Sequence, residues 1–419
     1  MRETAFAILA VAAGSYLVAG ILSKAALRDE IVGLGCRALS LPFRAGGGRR
    51  PRGPFTRVVV LKPGSLGDVL MATPVVRALR RSLPDTYLAF AVGSWSLPVI
   101  AGNPRLDAVL DLGSLGSRGF GLGECRAAVR LLRSGRYDGA IVLDRAPLIA
   151  LLPFLAGIPR RVGLDSDGRG FALTASVPCP PRSHEVDLYL DVALAAGCAV
   201  SDPRLEFFPT PEDEAAVAAM LASVLPVAAA TPDLPLVAIH PAGGVNPGMR
   251  FLAKRWPASR FAALADRFRD ELGAAVLLIG GRDDRAVIEE LRAALRRPAV
   301  DLAGKLTWGQ VGALLRRCRL LVANDTGAAH LAGAVGTPAV VIFGPTDPAQ
   351  FGPYAGHGEA VVAGVPCRPC FRRGRFPNCR YAQRCLGELD VSSVWAAVRR
   401  QWAGRVANPV AASTTGGRD

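Results

Sequence analysis

The hydrophobic pattern after residue 56 alternates between short apolar runs and segments with helical periodicity. Apolar, β-prone runs predict strands at 57–61, 88–92, 108–110, 140–143, 236–240, 275–279, 300–302, 320–323 and 339–343. Amphipathic or small-residue segments predict helices at 69–81, 186–196, 259–272, 285–295, 307–316 and 328–335. Strands that alternate with helices form parallel sheets, because each return to the same edge needs a crossover connection. The predicted fold class is therefore α/β.

Two segments do not fit this simple alternation. Residues 148–155 are apolar throughout, and periodicity does not distinguish a helix from a strand there. Residues 158–210 are rich in proline, and we predict irregular structure for them apart from the helix at 186–196.

The strand–helix pattern starts twice, once near Thr56 and again at Leu236, and each first strand leads into a glycine-rich turn. Such a duplication predicts two Rossmann-like domains that face a cleft. We place these domains at residues 55–210 and 211–403, the second including a cysteine-rich loop at 366–386. Residues 404–419 are predicted to be a disordered tail.

Residues 5–22 are uncharged and mostly apolar, and would form a helix of about 27 Å, which is marginal for spanning a bilayer. Basic residues follow this segment, which by the positive-inside tendency predicts a cytoplasmic location for the remainder. We predict a membrane-anchor helix and basic linker over 1–54, with a membrane-associated or packed helix as the alternative.

The formal net charge of the 419-residue chain is +15, and it is unevenly distributed. Residues 1–54 hold eight Lys or Arg against three acids, and residues 367–385 hold six arginines and no acid. A nucleic-acid groove would spread its charge and interleave aromatic residues. The distribution therefore favours a membrane surface or a phosphorylated acceptor over nucleic acid.

The first glycine-rich turn, Gly64, Ser65, Gly67 and Asp68, lies between a predicted strand and a helix. Asp68 is interpreted either as a helix-capping acid or, facing a cleft, as a base that accepts a proton from a hydroxyl nucleophile.

Polar residues also follow the predicted strands of the second series. His240 ends one strand and Lys254 precedes a helix, so Lys254 is either a phosphate clamp or part of a surface basic pair. Asp284 lies in a glycine-rich turn, where an acid can bind ribose hydroxyls or simply belong to the turn.

The run 320–348 contains a strand, a polar turn, a small-residue helix, a second strand and a second polar turn. Asp325, Thr326 and Gly327 precede or begin the helix, and His330 shares a helix face with Thr326. The free N–H groups of a helix start bind anions, so the turn predicts a phosphate or diphosphate site. An ordinary capped turn is the alternative.

Four cysteines of the nine are clustered in sequence, at Cys367, Cys370, Cys379 and Cys385. Such a cluster in a cytoplasmic chain predicts a structural Zn²⁺ site, with disulfides or free thiols as alternatives.

Three runs together resemble glycosyltransferase family 9, the ADP-heptose:lipopolysaccharide heptosyltransferases. They are VVVLKPGSLGDVLMATPVVRALRRSLP, VAIHPAGG followed by KRWP, and NDTGAAHLAGAVGTPAVVIFGPTDP. The resemblance covers roughly residues 56–400. It implies the GT-B fold, with an acceptor domain followed by a donor-binding domain, and inverting transfer without a catalytic metal.

The same resemblance implies roles for individual residues. Asp68 would be the general base, Lys254 would contact the donor phosphates, and Asp284 would bind the nucleotide ribose. Asp325, Thr326 and Gly327 would bind the sugar and diphosphate, with His330 in support. Gly64, Ser65, Gly67 and His240 would lie in turns beside the cleft.

The sequence therefore predicts an inverting glycosyltransferase at the cytoplasmic face of the inner membrane. It would move a heptose or related sugar, most simply from ADP-heptose, to a lipopolysaccharide-core or other lipid-linked acceptor. The alternatives are a family member with another donor or acceptor, and a non-catalytic scaffold that binds nucleotide-sugar or glycolipid. The pattern does not identify the sugar, the acceptor or the oligomeric state.

Overall fold

The computed structural model describes residue 36 and residues 53–116, 121–225, 234–246, 249–371 and 378–403. The predicted anchor segment 5–22, most of the basic linker and the tail 404–419 lie outside the described residues. Within the described part of the chain, no helix is both long and apolar enough to cross a membrane.

The chain divides into two compact units, the first ending at Phe208 and the second beginning at Pro209. The first unit also takes residues 245–250, which form the short antiparallel strands β8 (Val245–Asn246) and β9 (Met249–Arg250).

The first unit is built on a six-stranded sheet whose neighbouring strands are all parallel. Its strands are β1 (Arg57–Leu61), β2 (Tyr87–Val92), β3 (Ala108–Asp111), β4 (Gly139–Val142), β5 (Arg160–Asp165) and β6 (Ala175–Pro178). Its helices are α1 (Leu66–Met71), α2 (Thr73–Ser82), α3 (Leu122–Ser134), α4 (Pro147–Leu155) and α5 (Glu185–Ala195), with a 3-10 turn at Ser94–Val99.

The second unit contains a second parallel six-stranded sheet. Its strands are β7 (Leu236–His240), β10 (Ala275–Leu278), β11 (Val300–Asp301), β12 (Leu320–Asn324), β13 (Ala339–Phe343) and β14 (Gly358–Val362). Its helices are α6 (Pro211–Val224), α7 (Ala258–Leu272), α8 (Arg285–Ala294), α9 (Trp308–Arg317), α10 (Gly327–Ala334), α11 (Pro348–Phe351), α12 (Arg384–Gly387) and α13 (Val391–Ala403). Short 3-10 turns lie at Leu252–Lys254 and Arg282–Asp284.

Both sheets have the same strand order. The first is β3-β2-β1-β4-β5-β6, and the second is β11-β10-β7-β12-β13-β14. Numbered within each unit, both orders read 3-2-1-4-5-6, which is the order of the Rossmann fold. The predicted α/β class and the two Rossmann-like units are therefore confirmed, whereas the predicted cleft between them stays a prediction.

Central strands are apolar on both faces because helices cover both sides of a parallel sheet. Val58, Val59, Val60 and Leu61 of β1 are fully buried, as is the whole of β12. In the second unit, Trp256, Phe261 and Phe268 pack with the last helix in one continuous hydrophobic core. The sheets therefore form rigid supports for the turns at their carboxyl ends.

The predicted helix at 69–81 is wrong in its continuity, because the structure divides it at Ala72 into α1 and α2. Pro74 has no N–H to donate to the carbonyl of Leu70. The hydroxyl of Thr73 donates to that carbonyl instead, at 2.7 Å.

The prediction of irregular structure over 158–210 is also wrong in part. Strands β5 and β6 lie in this segment and complete the first sheet at one edge. The ambiguous segment 148–155 is a helix, which begins at Pro147, a residue suited to a first helical turn.

Candidate functional site

Each sheet has one point where the strand order reverses, and ligands of such sheets bind outside the carboxyl ends of the strands there. In the first unit, β1 and β4 meet at this point, with Leu61 beside Val142. In the second unit, β7 and β12 meet there, with His240 beside Ala323. We call the residues that follow these strands the first and second switch points.

At the first switch point, the Asp68 carboxylate closes the turn that follows β1. Its Oδ2 accepts hydrogen bonds from Ser65 N at 3.2 Å and from Ser65 Oγ at 3.0 Å. A Cβ on Gly64 would lie 2.9 Å from this same oxygen. Asp68 therefore caps α1, and the small turn residues leave room for its carboxylate, while its role as a base stays a prediction.

Sequence reasoning missed the residues that surround Asp68. Lys62 directly follows β1, is 7% exposed, and places Nζ 3.3 Å from Asp144 Oδ2. Asp144 follows β4, and its neighbour Arg145 donates to Glu185 Oε1 at 2.7 Å. The available signal was a charged residue at the end of each of two buried strands, but only the strand order shows that these ends are adjacent.

At the second switch point, Asn324 ties the turn after β7 to the end of β12. Its Nδ2 donates to the carbonyls of Pro241 at 2.7 Å and Ala242 at 3.1 Å, and its Oδ1 accepts from Trp256 N at 3.1 Å. The side chain is fully buried. Asn324 was not among the predicted site residues, yet it fixes the turn around which they are arranged.

The structure brings Lys254 and Asp325 together, although 71 positions separate them in sequence. Lys254 Nζ lies 2.6 Å from Asp325 Oδ2, and Thr346 Oγ1 donates to the same oxygen at 2.7 Å. The Asp325 side chain is only 6% exposed. An ammonium donates up to three hydrogen bonds, so this pair leaves Lys254 with donors to offer to an anion.

Two buried polar atoms of the second switch point have no hydrogen-bond partner among the described residues, namely Thr326 Oγ1 and His240 Nδ1. Thr326 precedes α10, but its side chain does not cap the helix. Buried polar atoms are nearly always paired, and an exception calls for an explanation such as a ligand. A ligand that accepts or donates here would satisfy both atoms.

Glycine is required in the turn that approaches Thr326. Gly243 has a φ of +104°, and a Cβ there would lie 2.0 Å from Thr326 Cγ2. Gly244, also at positive φ, would place a Cβ 2.4 Å from the carbonyl oxygen of Phe251. The backbone of this turn therefore passes closer to its neighbours than any other residue type would allow.

Gly327 and His330 belong to α10, the eight-residue helix that starts at this switch point. Both are half-buried, and their positions agree with the predicted start and face of the helix. Thr326 is the residue directly before this helix, and the first N–H groups of a helix have no partner within it, which is a favourable arrangement for an anion.

Asp284 is buried beside Arg255 and its own turn. Its Oδ1 lies 3.2 Å from Arg255 Nη2, and its Oδ2 accepts from Gly281 N at 2.9 Å. Burial lowers the pKa of His240, although the Asp284 carboxylate opposes that shift. The imidazole of His240 is therefore held neutral near physiological pH.

The four clustered cysteines line one cavity of about 400 Å³ in the second unit. Burial, followed by the neighbouring cysteines, raises the pKa of Cys370 and of Cys385. Within the described ranges, however, no three Cys, His, Asp or Glu residues are grouped so as to hold a metal ion. The cysteines are brought together as predicted, but the geometry is not that of a formed metal site.

The loop that carries these cysteines is fastened to the turn after β13. Cys370 N and Phe371 N both donate to the carbonyl of Pro345, and Arg368 Nη2 donates to that of Thr346 at 3.0 Å. Thr346 in turn binds Asp325. The cysteine loop thus supports one wall of the second switch point.

Comparison with known families gives a match to glycosyltransferase family 9 (heptosyltransferase) over residues 125–379. This range holds the whole of the second switch point and begins after the Gly64–Asp68 turn.

Individual relatives agree with that match. The chain is 28% identical to lipopolysaccharide heptosyltransferase 2 of Escherichia coli over 73% of this chain and 87% of that protein. It is 29% identical to the Salmonella typhimurium enzyme of the same name, over the same shares. A crystal structure of a family 9 glycosyltransferase from Veillonella parvula superposes with a TM-score of 0.68 at 23% identity, covering 83% of this chain and 97% of that one.

Proposed function

Because the chain belongs to glycosyltransferase family 9, we propose that it transfers a heptose from ADP-heptose to a lipopolysaccharide-core acceptor. The names of the relatives support this assignment, since they are lipopolysaccharide heptosyltransferases that align over most of their length. A different sugar or lipid-linked acceptor, or a non-catalytic scaffold that binds the same ligands, remains the alternative.

The observation that carries the proposal is the unpaired Thr326 hydroxyl at the start of α10. In the proposed complex the donor diphosphate occupies this place, accepts from the Thr326 hydroxyl and the helix N–H groups, and meets the Lys254 ammonium. Gly327 lets the phosphates approach the backbone, and Asp325 holds Lys254 in position. Asp284, beside His240, is proposed to bind the ribose, and His330 to support the site from the helix.

In the proposed reaction, Asp68 removes the proton from the acceptor hydroxyl. At the same time the acceptor oxygen forms a bond to the anomeric carbon of the donor sugar. The bond from that carbon to the phosphate oxygen breaks, and the nucleoside diphosphate leaves with the electron pair. Lys254 and the α10 N–H groups stabilise the departing charge, which is a role that needs no metal.

Replacement of Asp68 tests the catalytic assignment. We expect Asp68→Asn to lower kcat by about a hundredfold to ten-thousandfold, the usual contribution of a general base. Thermal-shift titration should show unchanged donor affinity, and Asp85→Asn, an exposed acid of the same unit, should retain full activity. Full activity in Asp68→Asn would overturn the assignment.

A panel of nucleotide-sugars tests the donor. We expect ADP-heptose to raise the melting temperature more than UDP- or GDP-sugars do, because the site would bind both the adenosine and the heptose. If another nucleotide-sugar raised the melting temperature more, the assignment of the donor would change, but the proposed reaction would still be glycosyl transfer. The absence of transfer to any acceptor, despite donor binding, would favour the scaffold.

We also propose that Cys367, Cys370, Cys379 and Cys385 bind a structural zinc ion. Their common cavity supports this idea, although metal binding would have to draw the thiolates closer together. Elemental analysis of protein purified under reducing conditions should find one zinc per chain, which Cys379→Ser releases and Cys198→Ser does not. Metal-free protein with four titratable thiols in this loop would exclude the site.

For location, we propose the cytoplasmic face of the inner membrane, with residues 5–22 as the attachment. Its support is the hydrophobic sequence of that segment and the basic residues after it. Removal of residues 1–50 should release the protein from the membrane fraction. Retention in the membrane pellet would show that another surface is sufficient for attachment.

A further inference from the structure

The first switch point holds a buried group of charges that the proposed reaction has not used. Lys62 lies at its centre, 3.3 Å from Asp144 and with Nζ 5.4 Å from the centre of the Tyr189 ring. Arg145 is already paired with Glu185 at 2.7 Å. Lys62 is therefore the cation that pairs with Asp144 in this group.

The Asp68 carboxylate belongs to the same group. A single point, the Cβ position of Gly64, lies 2.9 Å from Asp68 Oδ2 and 3.3 Å from Lys62 Cε. The sum of those two distances is the most that can separate the two atoms. The charged Nζ is one bond beyond Cε, so the ammonium and the carboxylate belong to one neighbourhood without forming a direct ion pair on this bound. Opposite charges that are this near interact when water is excluded, as it is around Lys62.

Electrostatics agree with this geometry. Burial alone lowers the pKa of Lys62, but the carboxylates of Asp144, Asp68 and Glu185 raise it above its usual value. Lys62 is therefore charged at neutral pH and well above it. The Tyr189 hydroxyl, whose pKa burial raises well above its usual value, stays neutral beside it.

The elements around α1 supply few other charges. The 3-10 turn Ser94–Val99 has no ionisable residue, and Arg77 of α2 is paired with Glu206 at 2.7 Å. Among the residues that the structure describes, the charged or titratable groups that act on Lys62 or Tyr189 from the remaining elements include Asp144, Arg145 and Glu185.

A purely structural ion pair is a weak explanation for Lys62. Removing two charges from water is expensive, and a buried pair seldom stabilises a fold more than apolar residues would. A charge retained at the end of a buried strand, beside the proposed base, has a use in the reaction.

We propose that Lys62 is a positioning residue of the transfer reaction, whose ammonium, oriented by Asp144, keeps the Asp68 carboxylate ionised and ready to accept the acceptor proton. This inference rests on the proposed function. In this proposal Asp68 accepts the proton, and the positive charge of Lys62 favours the ionised form of Asp68. Asp144 orients the Lys62 side chain.

The test is the pH dependence of kcat/KM, which reports ionisations of the free enzyme. The double variant Lys62→Met/Asp144→Asn removes both charges and so avoids an unpaired buried ion. We expect its acidic limb to move up by at most about one pH unit, because loss of the nearby ammonium is partly offset by loss of the Asp144 carboxylate. Activity below the limb should fall by at most about tenfold and recover at alkaline pH.

Asp144→Asn alone should move the acidic limb the other way, to lower pH, because Lys62 then acts on Asp68 without competition. Lys62→Arg should leave the acidic limb of the pH profile at its wild-type position. Lys305 is an exposed lysine of the other unit, and Lys305→Met should leave the whole pH profile unchanged. Donor affinity and melting temperature should stay close to wild type in the double variant.

An unchanged pH profile in both the double variant and Asp144→Asn would overturn the inference. An equal loss of kcat/KM at every pH would also overturn the inference, because it would indicate that side chains are displaced rather than that a charge is lost. Asp68→Asn distinguishes a failure of the proposed base from a failure of the role proposed for Lys62. If it stays active, the proposed base is wrong, whereas if it is inactive and the pH limb does not move, only the role of Lys62 is wrong.

Discussion

The two switch points have the same strand order but differ in how closely the backbone approaches and in how many buried polar atoms lack a partner. At the first, Lys62 is paired with Asp144, Asp68 is held by Ser65, and one buried atom, Tyr189 Oη, has no partner among the described residues. At the second, glycine brings the backbone close, and Thr326 Oγ1 and His240 Nδ1 remain buried without partners among the described residues.

This contrast shows how one fold serves two tasks. A site with unpaired buried atoms gains hydrogen bonds when a ligand arrives, so it is suited to hold a substrate tightly. A site whose charges are already paired is suited to keep one group in a fixed ionisation state. The second switch point therefore fits donor binding, and the first fits proton transfer.

The largest effect expected at the second switch point follows from breaking the ion pair between Lys254 and Asp325. Lys254→Met should lower kcat/KM by about a hundredfold to a thousandfold at every pH, because it removes a preorganised cation from the departing diphosphate. Steady-state kinetics with varied donor would measure the loss. The comparison with Lys62 is direct, since loss of the Lys62 charge should matter mainly at low pH.

Stability has to be separated from activity in that experiment. Loss of Lys254 leaves Asp325, only 6% exposed, without its cation. Lys254→Met/Asp325→Asn should restore the melting temperature while leaving the rate low. If the double variant regained the rate as well, Lys254 would serve the fold alone.

The second prediction concerns the close approach of the turn after β7. Gly243→Ala should reduce the free energy of unfolding by about 3 kcal/mol, from overpacking against Thr326 together with positive-φ strain. Denaturant unfolding would measure it. Gly336→Ala is the matched control, since Gly336 also has positive φ but has nothing within 4 Å of the new Cβ.

Gly336→Ala should lower the free energy of unfolding by only about 1 kcal/mol, the strain contribution alone. Equal losses in the two variants would show that close packing at Gly243 is unimportant. The special geometry of the second switch point would then lie elsewhere.

These sites differ in how far the sequence could predict them. Asp325, Thr326 and Gly327 are adjacent in sequence, and a strand–turn–helix pattern alone is enough to predict an anion site there. Lys62 and Asp144 are 82 positions apart, and nothing local shows that they meet. Their contact depends on β1 lying beside β4, and hydrophobic periodicity does not encode strand order.

The fold shows the same limit. Strands with continuous apolar runs, such as β1 and β12, were predicted to within one residue. Strands β5 and β6 were missed, because Arg160, Arg161 and Pro178 give them a mixed pattern. β6 lies at a sheet edge, as does β14, which was missed as well, and edge strands have less burial and so a weaker signal. β5 is paired on both sides, so its two arginines alone account for the miss.

A smaller effect should follow from Thr326→Val, which removes the unpaired hydroxyl and keeps the shape. We expect KM for the donor to rise about tenfold, the usual effect of one lost hydrogen bond to a charged group. The free energy of unfolding of the ligand-free protein should stay equal or increase by up to ~1 kcal/mol, because a buried unpaired group is lost.

Thr337→Val provides the reverse pattern. Thr337 is fully buried and donates to the carbonyl of Leu315, so its replacement should reduce the free energy of unfolding and leave KM unchanged. If Thr326→Val behaved like Thr337→Val, the Thr326 hydroxyl would have a partner within the fold, and the contrast between the switch points would weaken.

The smallest predicted effect is on stability at low pH, and it comes from His240. Burial lowers the pKa of His240 in the folded state, so below its unfolded pKa of about 6.5 the unfolded chain binds more protons. The free energy of unfolding should therefore fall as pH decreases through that value.

His240→Gln should make the melting temperature less sensitive to pH below about 6.5, while its pH dependence above about 7.5 should match wild type. An identical slope in variant and wild type would mean that His240 is protonated as readily in the folded chain as in the unfolded one. The His240 imidazole would then add a positive charge to the second switch point at low pH.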